Sequence, residues 1–114
     1  MVKPAWVPRA GEVIRIDFNP TRGREQAELR PAVVLSNQGF NDKTSRVVCI
    51  PCTTKAKGYP FEVELSTLGQ PCVALSDQIR TLDWRERRAI ATAFVSAQEL
   101  AEILAKLQAL LGLK

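Results

Sequence analysis

The chain has 114 residues, of which 46% are hydrophobic and 25% charged, and its formal net charge is +4. This length and apolar content suffice for one core, so we expect residues 1–114 to form a single domain. No stretch approaches the roughly 18 apolar residues that span a bilayer, and the first residues lack the pattern of a signal peptide. These features argue against a membrane protein and predict a soluble, cytoplasmic one.

The three cysteines, Cys49, Cys52 and Cys72, cannot all pair within one chain. Cys49 and Cys52 form a C-x-x-C, a spacing that can indicate a redox centre or half of a zinc site. The chain has no second such pair and no histidine. We therefore expect buried, unpaired cysteines, with no bound metal and no small-molecule cofactor.

The first predicted element is a strand over residues 12–18, where apolar and polar residues alternate as in a half-buried strand. Its two sides are Val13, Arg15 and Asp17, and Ile14, Ile16 and Phe18. Residues 19–30 contain Pro20, Gly23 and many charges but no periodic apolar face, which predicts a long loop. Loops of this length in small domains are often functional.

Further along the chain, apolar or alternating runs rich in β-branched residues predict more strands. They span residues 31–36, 46–53, 61–65, 72–82 with a break at Asp77, and 90–95. We also predict a short helical turn carrying Trp84 at residues 83–88.

The last segment predicts an amphipathic helix. Ser96 can cap it, Glu99 can complete a capping box, and Gly112 can end it. Its apolar stripe, at helical spacing, should pack against the sheet or a second subunit. The stripe is Leu100, Ile103, Leu104, Leu107, Leu110 and Leu111. Many short strands followed by one helix predict a mainly β (α+β) fold, an antiparallel barrel or sandwich.

Three segments, taken in order, resemble the MazF, PemK and Kid family of bacterial toxins. They are GEVIRIDFNPTRGREQAELRPAVVLS, PCTTKAKGYPFEVEL and VALSDQI. The resemblance implies a small SH3-like antiparallel β-barrel with a C-terminal amphipathic helix, working as a homodimer. It also implies a metal-independent endoribonuclease that cuts single-stranded mRNA at a short motif, inhibits translation and is neutralised by an acidic MazE-like antitoxin. The expected products are 2′,3′-cyclic phosphate and 5′-hydroxyl ends.

The resemblance assigns the chemistry to Arg30 and Thr53, with Glu25 as a further member. Some family members have His before the arginine, where this chain has Leu29, so no imidazole can act here. Attack by the 2′-hydroxyl then needs another proton acceptor, and Glu25 or Asp17 could serve. The permanently charged, forked guanidinium of Arg30 suits a phosphate clamp, with the Thr53 hydroxyl beside it.

Binding to RNA, and the selection of one RNA motif, must come from side chains that stack on bases, form hydrogen bonds with base edges or neutralise phosphates. The predicted RNA-binding residues are Phe18, Asn19, Arg22, Arg24, Gln26, Lys55, Lys57, Tyr59 and Gln78. Tyr59 and Phe61 could instead be core anchors, and for Phe61 we prefer that interpretation.

Two other functions compete with an RNA-cutting toxin. The first is inhibition of DNA gyrase, because the gyrase-targeting toxin CcdB has a fold similar to the one expected here. Toxins of that group rely on a tryptophan close to the C-terminus. Here the last tryptophan is Trp84. A catalytically dead module that binds RNA or antitoxin is the other, and the presence of Arg30 and Thr53 argues against it.

Overall fold

A computed structural model describes residues 6–19 and 28–113, and this part of the chain forms seven strands and two helices. In chain order they are β1 (Glu12–Asp17), β2 (Leu29–Val34), α1 (Gln38–Thr44), β3 (Arg46–Thr53), β4 (Glu62–Leu65), β5 (Cys72–Leu75), β6 (Arg80–Asp83), β7 (Ile90–Phe94) and α2 (Ala97–Leu111). The strands pair antiparallel in the order β4-β5-β3-β2-β1-β7, and β6 pairs with β3. The predicted fold class, a mainly antiparallel β structure with a C-terminal helix, is confirmed, and the sheet is a curled half-barrel.

Strand β3 connects the parts of this sheet. One edge pairs with β2, from Val34↔Cys49 to Ala32↔Pro51. The other edge pairs with β6 along its first half and with β5 at its end, where Thr53 lies opposite Val73. The end of β3 therefore lies beside β5 and next to the first half of β2.

Apolar residues are buried on both faces of the sheet. One core lies under α2 and includes Val13, Ile50 and Ile103, and the other includes Ile14 and Trp84. The prediction of a half-buried first strand is thus wrong, because every residue of β1 except Arg15 is buried. A strand covered on both faces places alternate residues in different cores.

Two elements differ from the predictions made from the sequence. Strand β2 begins at Leu29, opposite Asp17, so Arg30 is a strand residue that pairs with Ile16 and does not belong to a loop. Helix α1 was not predicted. Its N-cap Asn37 accepts a hydrogen bond from the Phe40 backbone N–H. The short turn after β6 is present, with Asp83 Oδ1 accepting from the backbone N–H groups of two following residues.

The predicted C-terminal helix and both of its caps are confirmed, and its apolar stripe packs against the sheet in part. Ser96 and Glu99 form the capping box, and Gly112 ends α2 with a positive φ of 71°. Ile103 and Leu107 pack into the core, whereas three leucines of the stripe are exposed. The exposed leucines are Leu104, Leu110 and Leu111. Neither helix of the described residues is long and apolar enough to cross a membrane.

Candidate active site

Two concave surfaces meet where β2 begins and β3 ends. We call the first the basic groove, with a volume of about 550 Å³. Its lining carries four cationic side chains, Arg30, Lys55, Lys57 and Arg80. The second, the threonine groove, is lined by Thr54, Thr67 and Thr92 among others. Both grooves share Arg30, Cys52, Thr53 and Lys55, so Arg30 and Thr53 lie where the two surfaces join.

The basic groove contains every described residue that was predicted to hold the reacting phosphate or to bind RNA. These are Phe18, Asn19, Arg30, Thr53, Lys55, Lys57, Tyr59 and Gln78. They come from four separate parts of the chain, and the folding of the sheet brings them together. Four other predicted residues, Arg22, Arg24, Glu25 and Gln26, lie outside the described residues.

Arg30 and Thr53 occupy adjacent strands. The pairing of β2 with β3 reaches Ala32↔Pro51, and continuing it by two residues on each strand places Arg30 opposite Thr53. The Thr53 Oγ1 atom accepts a hydrogen bond from the backbone N–H of Lys55 at 3.1 Å. Because a hydroxyl both donates and accepts, its proton remains available to a ligand oxygen. The Arg30 side chain is exposed.

A loop with two lysines forms one wall of the basic groove. The Glu62 carboxylate accepts from the backbone N–H groups of Lys57, at 3.1 and 3.2 Å, and Gly58, at 3.0 Å. These bonds hold the loop over the start of β4. The rings of Tyr59 and Phe61 stack with centroids 5.2 Å apart, and both residues line the groove. The interpretation of Phe61 as a core anchor is therefore wrong.

The structure adds two side chains that the sequence did not single out. The Arg80 guanidinium lies 5.6 Å from the centroid of the Phe18 ring, close enough for a cation–π contact. Glu28 also lines the basic groove. Only the pairing of β6 with β3 places Arg80 there, so no local signal in the sequence could have identified it.

Asp17, the second candidate proton acceptor, does not fit that role. Its side chain is buried, and Oδ1 accepts a hydrogen bond from the Asn19 backbone N–H at 2.9 Å. Asp17 lines neither groove. The Arg87 guanidinium donates to the carbonyl oxygens of Asp17 and Asn19, at 2.8 and 2.7 Å. These contacts give the end of β1 a structural role.

The cysteines behave as core residues. All three are buried and unpaired, as predicted. Burial raises the pKa of both the Cys49 and the Cys52 thiol to about 12, so neither is an anionic nucleophile near neutral pH. Among the described residues no group of three or more His, Cys, Asp or Glu side chains could hold a metal ion.

This geometry defines a small antiparallel β protein whose cationic cleft suits a polyanion. Residues 9–111 match the family described as "PemK-like, MazF-like toxin of type II toxin-antitoxin system". The chain is 50% identical to the "Endoribonuclease toxin MazF" of Escherichia coli (strain K12) over 107 residues, covering 94% of this chain and 96% of that protein. The chain therefore belongs to the PemK-like, MazF-like toxin family.

Solved structures agree with this assignment. The crystal structure of MazF from Deinococcus radiodurans is similar with a TM-score of 0.85 and 46% identity, covering 96% of this chain and all of that one. A crystal structure of MazE-MazF from the same organism gives a TM-score of 0.85 and 42% identity with the same coverage. The likeness thus extends over nearly the whole chain.

Proposed function

We propose that the basic groove is where this toxin cuts RNA, with Arg30 and Thr53 holding the phosphate that reacts. The chain is an endoribonuclease of a type II toxin–antitoxin pair, as its family and its relative in E. coli are. One observation carries the placement of the site. Every described residue that was predicted to hold the phosphate or to bind RNA lines the same groove, and Arg30 and Thr53 lie at its junction with the threonine groove.

The proposed reaction is internal transfer at a single-stranded mRNA phosphate, without a metal ion. The 2′-oxygen attacks phosphorus, the bond to the 5′-oxygen breaks, and a 2′,3′-cyclic phosphate and a 5′-hydroxyl result. The 2′-hydroxyl proton must go to a base, and the leaving oxygen must gain a proton. Glu25 is our proposed acceptor. Its position lies outside the described residues, so this role rests on the resemblance.

Arg30 stabilises the charge that builds on the phosphate oxygens in the transition state. Its guanidinium stays charged at any physiological pH and offers two parallel N–H donors. Thr53 donates its free hydroxyl proton to the same phosphate or to the leaving oxygen, since Lys55 N–H already occupies one acceptor site on that oxygen. The two side chains thus provide electrostatic stabilisation, which needs no histidine.

The walls of the basic groove suit a single strand of RNA. Phe18 and Tyr59 offer rings for base stacking, and Lys55 and Lys57 neutralise neighbouring phosphates. Asn19 and Gln78 provide amides that can bond to base edges. We further propose that Arg22, Arg24 and Gln26 contact RNA from the segment that lies outside the described residues.

Further proposals concern domain organisation, assembly and location. We propose one toxin domain over residues 1–114 and a homodimer, which the exposed leucines of α2 support because a second subunit would bury them. An acidic MazE-like antitoxin would cover the cationic groove and exclude RNA, and a MazE-MazF complex is known for the D. radiodurans protein. Because mRNA is its substrate, we place the protein in the cytoplasm.

The decisive experiment is digestion of a long defined RNA in the presence of a metal chelator, with mapping of the 5′-hydroxyl ends. We expect cuts at one short motif. A matched oligonucleotide carrying a 2′-O-methyl group at the cut position should survive, because its 2′-oxygen has no proton to lose. Equal cutting of both oligonucleotides would exclude internal transfer. Absence of cutting with inhibition of gyrase would instead support the alternative function.

A further inference from the structure

Glu28 is an acidic residue in a groove that carries four cationic side chains. The basic groove is lined by two carboxylates, Glu28 and Glu62, among the described residues. Both oxygens of Glu62 already accept backbone hydrogen bonds from the lysine loop. Glu28 is exposed and makes no hydrogen bond or ion pair with any other residue in the described part of the chain. No other described residue therefore occupies its carboxylate.

The charge of Glu28 restricts which part of an RNA it can contact. An ionised carboxylate only accepts hydrogen bonds, and it repels the phosphate that the four cations of the groove attract. A contact between Glu28 and the RNA backbone phosphate would oppose binding. The hydrogen-bond donors of RNA are the N–H groups of its bases and the 2′-hydroxyl. A favourable contact must use one of these donors.

The position of Glu28 brings base donors within its reach. Glu28 immediately precedes β2, and both it and Arg30 line the groove. Residues two apart on an extended chain project to the same side, about 6.6 Å from each other. When Arg30 holds the phosphate that reacts, Glu28 lies beside that phosphate, within side-chain reach of a base next to the cut.

We propose that Glu28 is a specificity-determining residue that accepts hydrogen bonds from the Watson–Crick edge of a base adjacent to the cut. Guanine fits best, because its N1–H and its N2 amino group lie side by side and match the two carboxylate oxygens. Uracil offers one N–H flanked by carbonyl oxygens, which a carboxylate repels. The inference rests on the proposed function, since it needs the basic groove to be the RNA site.

The test compares three full-length proteins: the wild type, Glu28→Gln, and Glu64→Gln as control. Glu64 is an exposed glutamate of β4 that lines neither the basic nor the threonine groove. Cuts are mapped on a long defined RNA. The wild type and Glu64→Gln should prefer guanine at one position beside the cut by about tenfold or more, the size expected of one good base contact. Glu28→Gln should lose that preference and keep the rest of the motif.

If Glu28→Gln cuts at the same RNA motif as the wild type, at any cleavage rate, the inference is overturned. A wild type that leaves the RNA intact would overturn the proposed function, and this inference with it.

A second measurement isolates the amino group. Inosine is guanosine without the N2 amino group, and it replaces guanosine at the position beside the cut in a short oligonucleotide. The wild type should cut the guanine form several-fold faster in kcat/KM, and Glu28→Gln should cut both forms alike. Equal rates for the wild type would exclude the proposed two-point contact of the Glu28 carboxylate with N1–H and the N2 amino group, even if Arg30 and Thr53 are correctly placed.

Discussion

The two ends of strand β3 use polar residues in opposite ways. At the end where β3 begins, the Asn41 Nδ2 atom donates to the carbonyl oxygens of Pro8 and Ser36, at 2.8 and 3.1 Å. The Trp84 indole N–H donates to the Asn41 carbonyl oxygen at 2.9 Å. We call this the closed end. Its polar groups are satisfied within the protein, so its residues stabilise the fold.

At the other end, which we call the open end, the side chains of Arg30, Lys55 and Gln78 make no hydrogen bond to any other described residue. All three line the basic groove. These solvated side chains contribute little to the stability of the fold. They remain available to contact a ligand. The difference predicts that substitutions at the open end impair cleavage and that those at the closed end impair stability.

The largest expected effect is that of Arg30→Ala on cleavage. Loss of a preorganised donor to the transition state costs about 3 kcal/mol, so kcat/KM on a single-stranded oligonucleotide should fall about a hundredfold or more. The matched control is Arg46→Ala, which removes an exposed arginine at the start of β3. It should cut normally. Near-normal cleavage by Arg30→Ala would remove Arg30 from the proposed chemistry.

Next in size is the effect of Asn41→Ala on stability. Asn41 is fully buried, and its loss leaves two carbonyl oxygens without their donor. The expected cost is about 2 kcal/mol, measured as a lower midpoint of urea unfolding with unchanged cleavage by the folded protein. The control is the neighbouring Asp42→Ala, which breaks only an exposed ion pair with Arg85. A cleavage defect in folded Asn41→Ala would contradict the division between the two ends.

A smaller effect is expected when Lys55 and Lys57 are both replaced by Gln. Cleavage should weaken at every motif, and the dependence of KM on salt should become shallower, because fewer counterions are released on binding. The control is Lys43→Gln in α1, on the closed end. KM is measured between low and physiological salt. The same salt slope in both variants would place the RNA elsewhere.

Most strands and the C-terminal helix could be predicted because their signals are local. Strand β3 and the capping box of α2 coincide with the prediction. Helix α1 was missed because its seven residues include a glycine and only one buried residue, the polar Asn41, so it lacks an apolar face. The early start of β2 depends on pairing with β1, which the charged sequence before Pro31 does not reveal.

In the candidate site, too, some residues could be predicted from the sequence and others could not. Arg30, Thr53 and their neighbours were identified through the resemblance, and the structure places the described ones in one groove. Glu28 and Arg80 were missed because each looks like an ordinary charged residue beside or within a strand. Their position in the groove arises only when β2 and β6 pair with different partners in the sheet. The sequence pattern does not reveal contacts between segments that are distant in the chain.

The smallest expected effect concerns Glu99, which lies outside both grooves. Partial burial alone would raise the pKa of Glu99, but hydrogen bonds from Ser96 and Ser66 outweigh it and lower the pKa below its usual value. The bonds from their backbone N–H groups measure 2.8 and 2.7 Å. A carboxylate with a lowered pKa in the folded state stabilises the fold above its unfolded pKa, and this contribution is lost as pH falls through the folded value.

Glu99→Gln should therefore be less stable than the wild type at pH 7, by about 1 kcal/mol or less because the group is partly exposed. The difference should shrink as pH falls below about 4, the usual pKa of a glutamate. Urea unfolding at pH 7 and pH 3 measures it, with the exposed Glu102→Gln on the same helix as control. A difference that stays constant with pH would show that the cap acts through geometry and not through charge. Cleavage at pH 7 should be normal in both variants, because α2 lies outside the open end.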